Sequence, residues 1–207
     1  MRIIRIFFFL FTIAGMAQQT QIPVSATSNF RSSVENRADE IKTMSGDFVQ
    51  VKYIQMMRAE SVSAGRLYFK SPEVLKWEYS KPYSYQMLFK DGQLFIDDEG
   101  DKSVTNLKSN KLFEKLVTLI SGSVNGKLLA DTENFDITYV RVNADRMVVL
   151  IPRDPMLRQM FAQIVLRFNR QNLVDTVKLI EESGDFTEIH FKNIAINKQI
   201  DSKVFKE

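Results

Sequence analysis

Cysteine is absent from all 207 residues, which removes disulfides, thiolate metal sites and a cysteine nucleophile together. Histidine is nearly absent too. The single one, His190, alternates with Glu188 and Lys192, a pattern that reads as a solvated imidazole on the polar side of a strand rather than a general base. No serine or cysteine elbow, Walker-type loop or dinucleotide glycine pattern accompanies it. Acidic and basic residues are interspersed, 25 against 28, so no Lys/Arg stripe is present to track a nucleic-acid backbone. The acidic run Asp97, Asp98, Glu99 and Asp101 around Gly100 lacks the spacing of a calcium loop and reads as a soluble hairpin tip. These absences argue against an enzyme, a metal site, a cofactor and a nucleic-acid partner.

No apolar run reaches the length needed to span a bilayer. What the N-terminus does have is Arg2 and Arg5, an apolar stretch from Ile6 to Ile13, and small Gly15 and Ala17 ahead of Gln18 and Gln19. This is the pattern of a secretory signal peptide cleaved after Ala17. The expected layout is therefore a leader, 1–17, and one domain, 18–207. The mature protein would be free in the periplasm, with no lipobox cysteine to anchor it. Losing Arg2 and Arg5 lowers the formal charge from +3 to about +1, so the basic composition mostly belongs to the leader.

The rest of the chain alternates with period two. Val49, Val51 and Tyr53 form one such run; Tyr85, Met87 and Phe89 another, with Leu94 and Ile96 following the Asp91-Gly92 turn signal. Later runs are Phe135, Ile137 and Tyr139; Met147, Val149 and Ile151; Ile164, Leu166 and Phe168; 174–180; and Ile189 with Phe191. Helical spacing appears over 27–44, through Phe30, Val34, Ala38, Ile41 and Met44 with Ser28 as cap, and again over 109–122 between Ser109 and Gly122. A short piece, 155–161, reads as helical or irregular. About ten short strands with two amphipathic helices predict a mainly β, α+β domain built on a large curved antiparallel sheet. The 9 Met, 16 Phe, 6 Tyr and 1 Trp fit either a dry core or a cavity that adapts to acyl chains, and periodicity does not separate the two.

One block is sharper than the rest. Gly65, Leu67, Phe69, Lys70 and Pro72, then Leu75, Trp77, Tyr79 and Pro82, describe two strands about a Pro turn with large apolar groups on one face. Gly-x-Leu-x-Phe-Lys-x-Pro followed by Leu-x-Trp-x-Tyr-x-x-Pro resembles the signature of the periplasmic outer-membrane lipoprotein carriers, the LolA-like family. Gly46-Asp47-Phe48-Val49-Gln50 upstream and Asp91-Gly92 downstream fall in the family's order. The resemblance implies an incomplete β-barrel with helices as a lid on the concave side, carrying the acyl chains of lipoproteins from an inner-membrane ABC-type release complex to an outer-membrane receptor or membrane, as a monomer. It implies a lining of Leu67, Phe69, Leu75, Trp77, Tyr79, Tyr85, Met87, Phe89, Leu94 and Ile96. The lid would be Leu112, Phe113, Leu116 and Ile120, covering the concavity when it is empty. Ser71 stands where some relatives have an Arg that latches the lid, and Lys76 is the remaining latch candidate although it lacks the planar fork of Arg. Two other readings stay open: a regulatory module that senses lipid or lipoprotein, and an envelope hydrolase on a β scaffold.

Overall fold

Strands that alternate large apolar and polar residues leave backbone donors and acceptors along both edges, and pairing with neighbours satisfies them. The computed structural model describes residues 19–21, 24–107, 115, 122 and 127–206; the expected leader lies outside them. The order is β1 (Gln19–Gln21), α1 (Val24–Glu40), β2 (Thr43–Ile54), β3 (Ala59–Lys70), β4 (Val74–Lys81), β5 (Tyr85–Lys90), β6 (Gln93–Asp98) and β7 (Asp101–Asn106). A 3-10 turn, Lys127–Ala130, precedes β8 (Phe135–Val142), β9 (Asp145–Pro152), α2 (Pro155–Met160), β10 (Gln163–Phe168), β11 (Val174–Ile180), β12 (Phe186–Ile196) and a last turn, Ser202–Phe205.

All twelve strands among the described residues join one antiparallel sheet in the order β1-β8-β9-β10-β11-β12-β2-β3-β4-β5-β6-β7. β1 and β7 end the sheet without pairing with each other, so it curls but does not close, as the mainly β expectation required. Asp91 and Gly92 form the anticipated two-residue turn, with φ of 53° and 72° and Lys90 opposite Gln93. Among the described residues no helix is long and apolar enough to cross a membrane.

α1 lies against the inner side of the β8–β10 half. Phe30 meets Phe168 edge-on at 5.2 Å and Tyr139 at 6.1 Å between ring centroids, and the Arg146 guanidinium sits 4.8 Å above its ring. Leu128 and Leu129 are buried where the 3-10 turn packs on this helix. Its bounds differ from the expected 27–44. The helix begins at Val24, which puts Ser28 inside it, and stops at Glu40, with Thr43 and Met44 already in β2. Asn197 explains the stop: its Nδ2 donates to the Glu40 carbonyl while its Oδ1 accepts from the amides of Lys42 and Thr43. Helical spacing continues past the stop because Ile41 and Met44 face the same core from a different backbone. The piece at 155–161 is helical, with Pro155 opening α2 and Asp154 accepting from the Met156 and Leu157 amides as its cap.

Two strands turn the face opposite to the one expected. In β9 the buried residues are Val148, Leu150 and Pro152, the first two 0% exposed, while Ile151 is 45% exposed. In β2 Met44 and Phe48 are buried, and Val49, Val51 and Tyr53 take the outer side, where Tyr53 stacks on Phe186 at 5.1 Å. Asn197→Ala should lower unfolding free energy by about 1 kcal/mol, the scale of hydrogen bonds lost at a partly solvated site. Urea denaturation with an unchanged m-value checks this.

Candidate ligand-binding site

The ten residues expected to line a concavity fall on one face of β3–β6, and the strand register sets them in rows. Leu67 pairs with Trp77, Trp77 with Met87 and Met87 with Ile96. The next row runs Phe69, Leu75, Phe89 and Leu94, and a third holds Gly65, Tyr79 and Tyr85. Cross-strand neighbours at this spacing touch, so the face is a continuous apolar sheet of side chains.

This face is covered. Leu67, Phe69, Leu75, Trp77, Phe89 and Leu94 are only 1–4% exposed, while Tyr79, Tyr85, Met87 and Ile96 are half-buried. A void bounded by Met44, Gly46, Leu67, Val174, Phe191 and Ile194 measures about 10 Å³, roughly one water. The sequence left open a dry core or a cavity for acyl chains; the side chains of these rows are packed, and this void leaves room for about one water.

Phe48 and Phe191 complete the face and were not among the residues singled out for it. Phe48 packs on Trp77 at 4.6 Å and on Tyr79 at 5.1 Å, and Phe191 meets Trp77 at 6.0 Å. Their signal was present, since Phe48 sits in the upstream motif and Phe191 in the last alternating run. What sequence could not show was that β12 pairs with β2 and closes the cluster. Gly65 makes room for it: a Cβ there would meet Phe48 Cζ at 2.8 Å and collide with the Glu78 carbonyl.

Polar atoms inside this face are few. The Tyr79 hydroxyl donates to Gln50 Oε1 at 3.0 Å, and burial pushes its phenol pKa up. Among the described residues Trp77 Nε1 is buried and makes no hydrogen bond of standard geometry, although the indole N–H lies near enough to the Tyr79 hydroxyl to offset part of that rise; the Tyr139 hydroxyl on the α1 side is likewise buried without a partner. An indole N–H left without a well-formed bond in an apolar interior costs up to about 1–3 kcal/mol, so it is a ready donor for a carbonyl that enters.

The latch candidates are elsewhere. Lys76 alternates with Leu75 and Trp77 and so projects from the outer side of β4, away from the face a cover would close. Ser71 sits in the β3–β4 turn, its amide donating to the Lys42 carbonyl at 2.8 Å. Leu112, Phe113, Leu116 and Ile120 lie outside the described residues. Within that stretch Lys115 is described, and its ammonium pairs with Asp154 at the cap of α2. His190 is on the outer face, 3.1 Å from Glu188 Oε1 and 3.4 Å from the buried Thr176 Oγ1, outside the β3–β6 face. Among the described residues no group of three His, Asp or Glu could hold a metal ion.

The sequence profile of the outer membrane lipoprotein carrier protein LolA family matches residues 39–207. The chain belongs to this family. An outer-membrane lipoprotein carrier protein of Methylococcus capsulatus is 23% identical over 177 residues, covering 85% of this chain and 82% of the relative. One of Pseudomonas paraeruginosa is 24% identical over 206 residues, covering 99% and 94%. A solved DUF1329 family protein from Desulfovibrio piger superposes with a TM-score of 0.49 at 12% identity, over 89% of this chain and 97% of that one. The family match takes in every row of the β3–β6 face but only the last two residues of α1, Asp39 and Glu40.

Two outcomes are expected. Gly65→Ala should cost about 2 kcal/mol, because the methyl forces β3, β4 or the Phe48 ring to move, and it should lower the thermal midpoint accordingly. The Asp154 carboxyl is held below the usual carboxylate range chiefly by Lys115, with the Leu157 and Met156 amides adding to the effect against partial desolvation. Its contribution to stability is therefore full above the ordinary Asp pKa of about 3.9 and fades as pH falls through the lowered native value. Asp154→Asn keeps the cap but removes the titration, so stability measured from about pH 6 to pH 2 should fall less steeply in the variant.

Proposed function

We propose that the protein is a periplasmic carrier that takes up the acyl chains of lipoproteins on the β3–β6 face and moves them from the inner membrane to the outer. The observation that carries this reading is the register itself: four neighbouring strands bring Leu67, Phe69, Leu75, Trp77, Met87, Phe89, Leu94 and Ile96 onto one face. Membership of the lipoprotein carrier family, and relatives named as outer-membrane lipoprotein carriers, support the same reading.

The physics of the cargo asks for such a face. Each methylene of an acyl chain costs about 0.8 kcal/mol in water, so a lipoprotein with several long chains needs tens of kcal/mol of shelter to cross an aqueous compartment. Release sets the opposite limit. In the covered state the face is satisfied by the protein's own side chains, and uncovering it subtracts from cargo affinity, which keeps the complex reversible. The Trp77 indole would donate to an ester or amide carbonyl near the head of the acyl chain.

On this reading a leader, 1–17, is removed and one carrier domain, 18–207, works as a monomer. It collects cargo at an ABC-type release complex and delivers it to a receptor or to the outer membrane, and no cofactor enters. Protein purified from its own periplasm should carry triacylated peptides detectable by mass spectrometry. Trp77→Glu and Met87→Glu should each abolish uptake of a fluorescent tripalmitoylated peptide while far-UV circular dichroism stays native. Met87 is half-buried and tolerates the change better than Trp77. Full uptake by a folded Met87→Glu protein, or no uptake by the unaltered one, would sink the proposal.

A further inference from the structure

The outer face of β4–β7 has its own apolar row. Lys76 pairs with Leu88, Leu88 with Phe95 and Phe95 with Val104, all on the side opposite Trp77. Together with Lys102 and Lys206 these residues bound a cleft of about 150 Å³. Leu88 at its base is 4% exposed, whereas Val104 is 57% exposed. Among the described residues, Lys76, Lys102 and Lys206 take part in no ion pair. Asp97, the acid in the cleft wall and the register partner of Lys102, accepts from the Gln86 side-chain amide and the Gly100 amide, so the cleft holds three ammonium groups against one carboxylate. An apolar floor under three unpaired ammonium groups fits an occupant that is apolar at one point and anionic around it.

The cleft opens at an edge of the sheet. β7 is the last strand in the order, with no strand on its far side among the described residues. Asp98 and Asp101 close a two-residue turn with positive φ at Glu99 and Gly100. In such a hairpin the closing pair exchanges hydrogen bonds, and alternate residues thereafter turn theirs outward. Lys102 and Val104 therefore present N–H and C=O to the open edge. Their side chains are also the ones on the cleft side.

We propose that this edge is a docking site for an extended acidic segment of a protein partner, which adds to β7 as a thirteenth strand. Its residue opposite Val104 is apolar and reaches into the cleft over Phe95; the residue two positions away is acidic and faces Lys102. Main-chain bonds along the edge supply affinity, and the cleft with its lysines supplies selection. Two features favour a peptide over a lipid. A cavity of this size takes a group about as large as benzene, which suits one side chain and not a long acyl chain. An acyl chain also has no use for the backbone groups of β7. The site faces away from Trp77, so it stands or falls independently of acyl-chain binding.

The probe is acetyl-Glu-Thr-Phe-Thr-Glu-amide, which reads the same in either strand direction, titrated into the ¹⁵N-labelled protein. Chemical-shift changes should be confined to β6, β7 and the C-terminal turn, with slowed hydrogen exchange at the Lys102 and Val104 amides. A twin peptide with Lys in place of Glu should bind roughly five- to tenfold more weakly, as attraction across the strands becomes repulsion. Lys102→Glu should invert that preference. Val104→Pro, which deletes an outward donor at an exposed edge position, should abolish binding with the fold intact. The proposal is overturned by equal affinity for the two peptides, by shifts centred on the Trp77 face, or by undiminished binding to Val104→Pro. It is equally overturned if phosphatidylglycerol vesicles perturb the β7 resonances and the peptide does not, since the site would then read a membrane surface.

Discussion

The twelve described strands, hydrogen-bonded in one sheet, have two faces, and most of the large buried apolar residues lie on one of them. Everything else follows from how that dry face is covered. The sheet curls, so its inner side becomes a concavity that must be filled. Over β8–β10 the filling is α1, with Phe30 set between Tyr139 and Phe168. Over β3–β6 the residues are as deeply buried, yet they present a broad continuous surface of Leu, Phe, Trp and Met.

On the carrier reading proposed above, this division reconciles storage with release. A permanently open apolar face of that breadth would aggregate in water, and a permanently sealed one would carry nothing. A face satisfied by the protein's own side chains and available to a competitor of the same chemistry avoids both. Gly65 belongs to the same design: with no side chain it lets Phe48 lie close beside Trp77 and Tyr79.

Much of this was legible in the residues. The Pro turn between Phe69 and Leu75 and the Asp91-Gly92 turn pinned the register of β3–β6, and once the register is known every second residue must share a face. The same logic failed in β9, where Met147, Val148, Val149, Leu150 and Ile151 are all apolar and alternation has nothing to alternate with. There the choice fell to the partner strand, since Leu150 pairs with Ile164 and Val148 with Leu166, both fully buried. It failed in β2 as well, where Val49, Val51 and Tyr53 look more like a core stripe than Met44, Gly46 and Phe48 do. The end of α1 was illegible for a related reason: the group that stops it, Asn197, is more than 150 positions away.

The amino-acid order by itself determined the local chemistry: which runs are strands, where the tight turns fall, and which carrier family the central hairpin resembles. These are short-range properties, set by side-chain volume, backbone preference and spacing along the chain. Tertiary structure alone decided which face of β2 and β9 is dry, that β12 lies beside β2 and brings Phe191 to Trp77, and that Lys76 points outward to a second, cationic cleft at the β7 edge. Those outcomes depend on pairings between residues far apart in the chain, and the stability of such a pairing belongs to both partners at once.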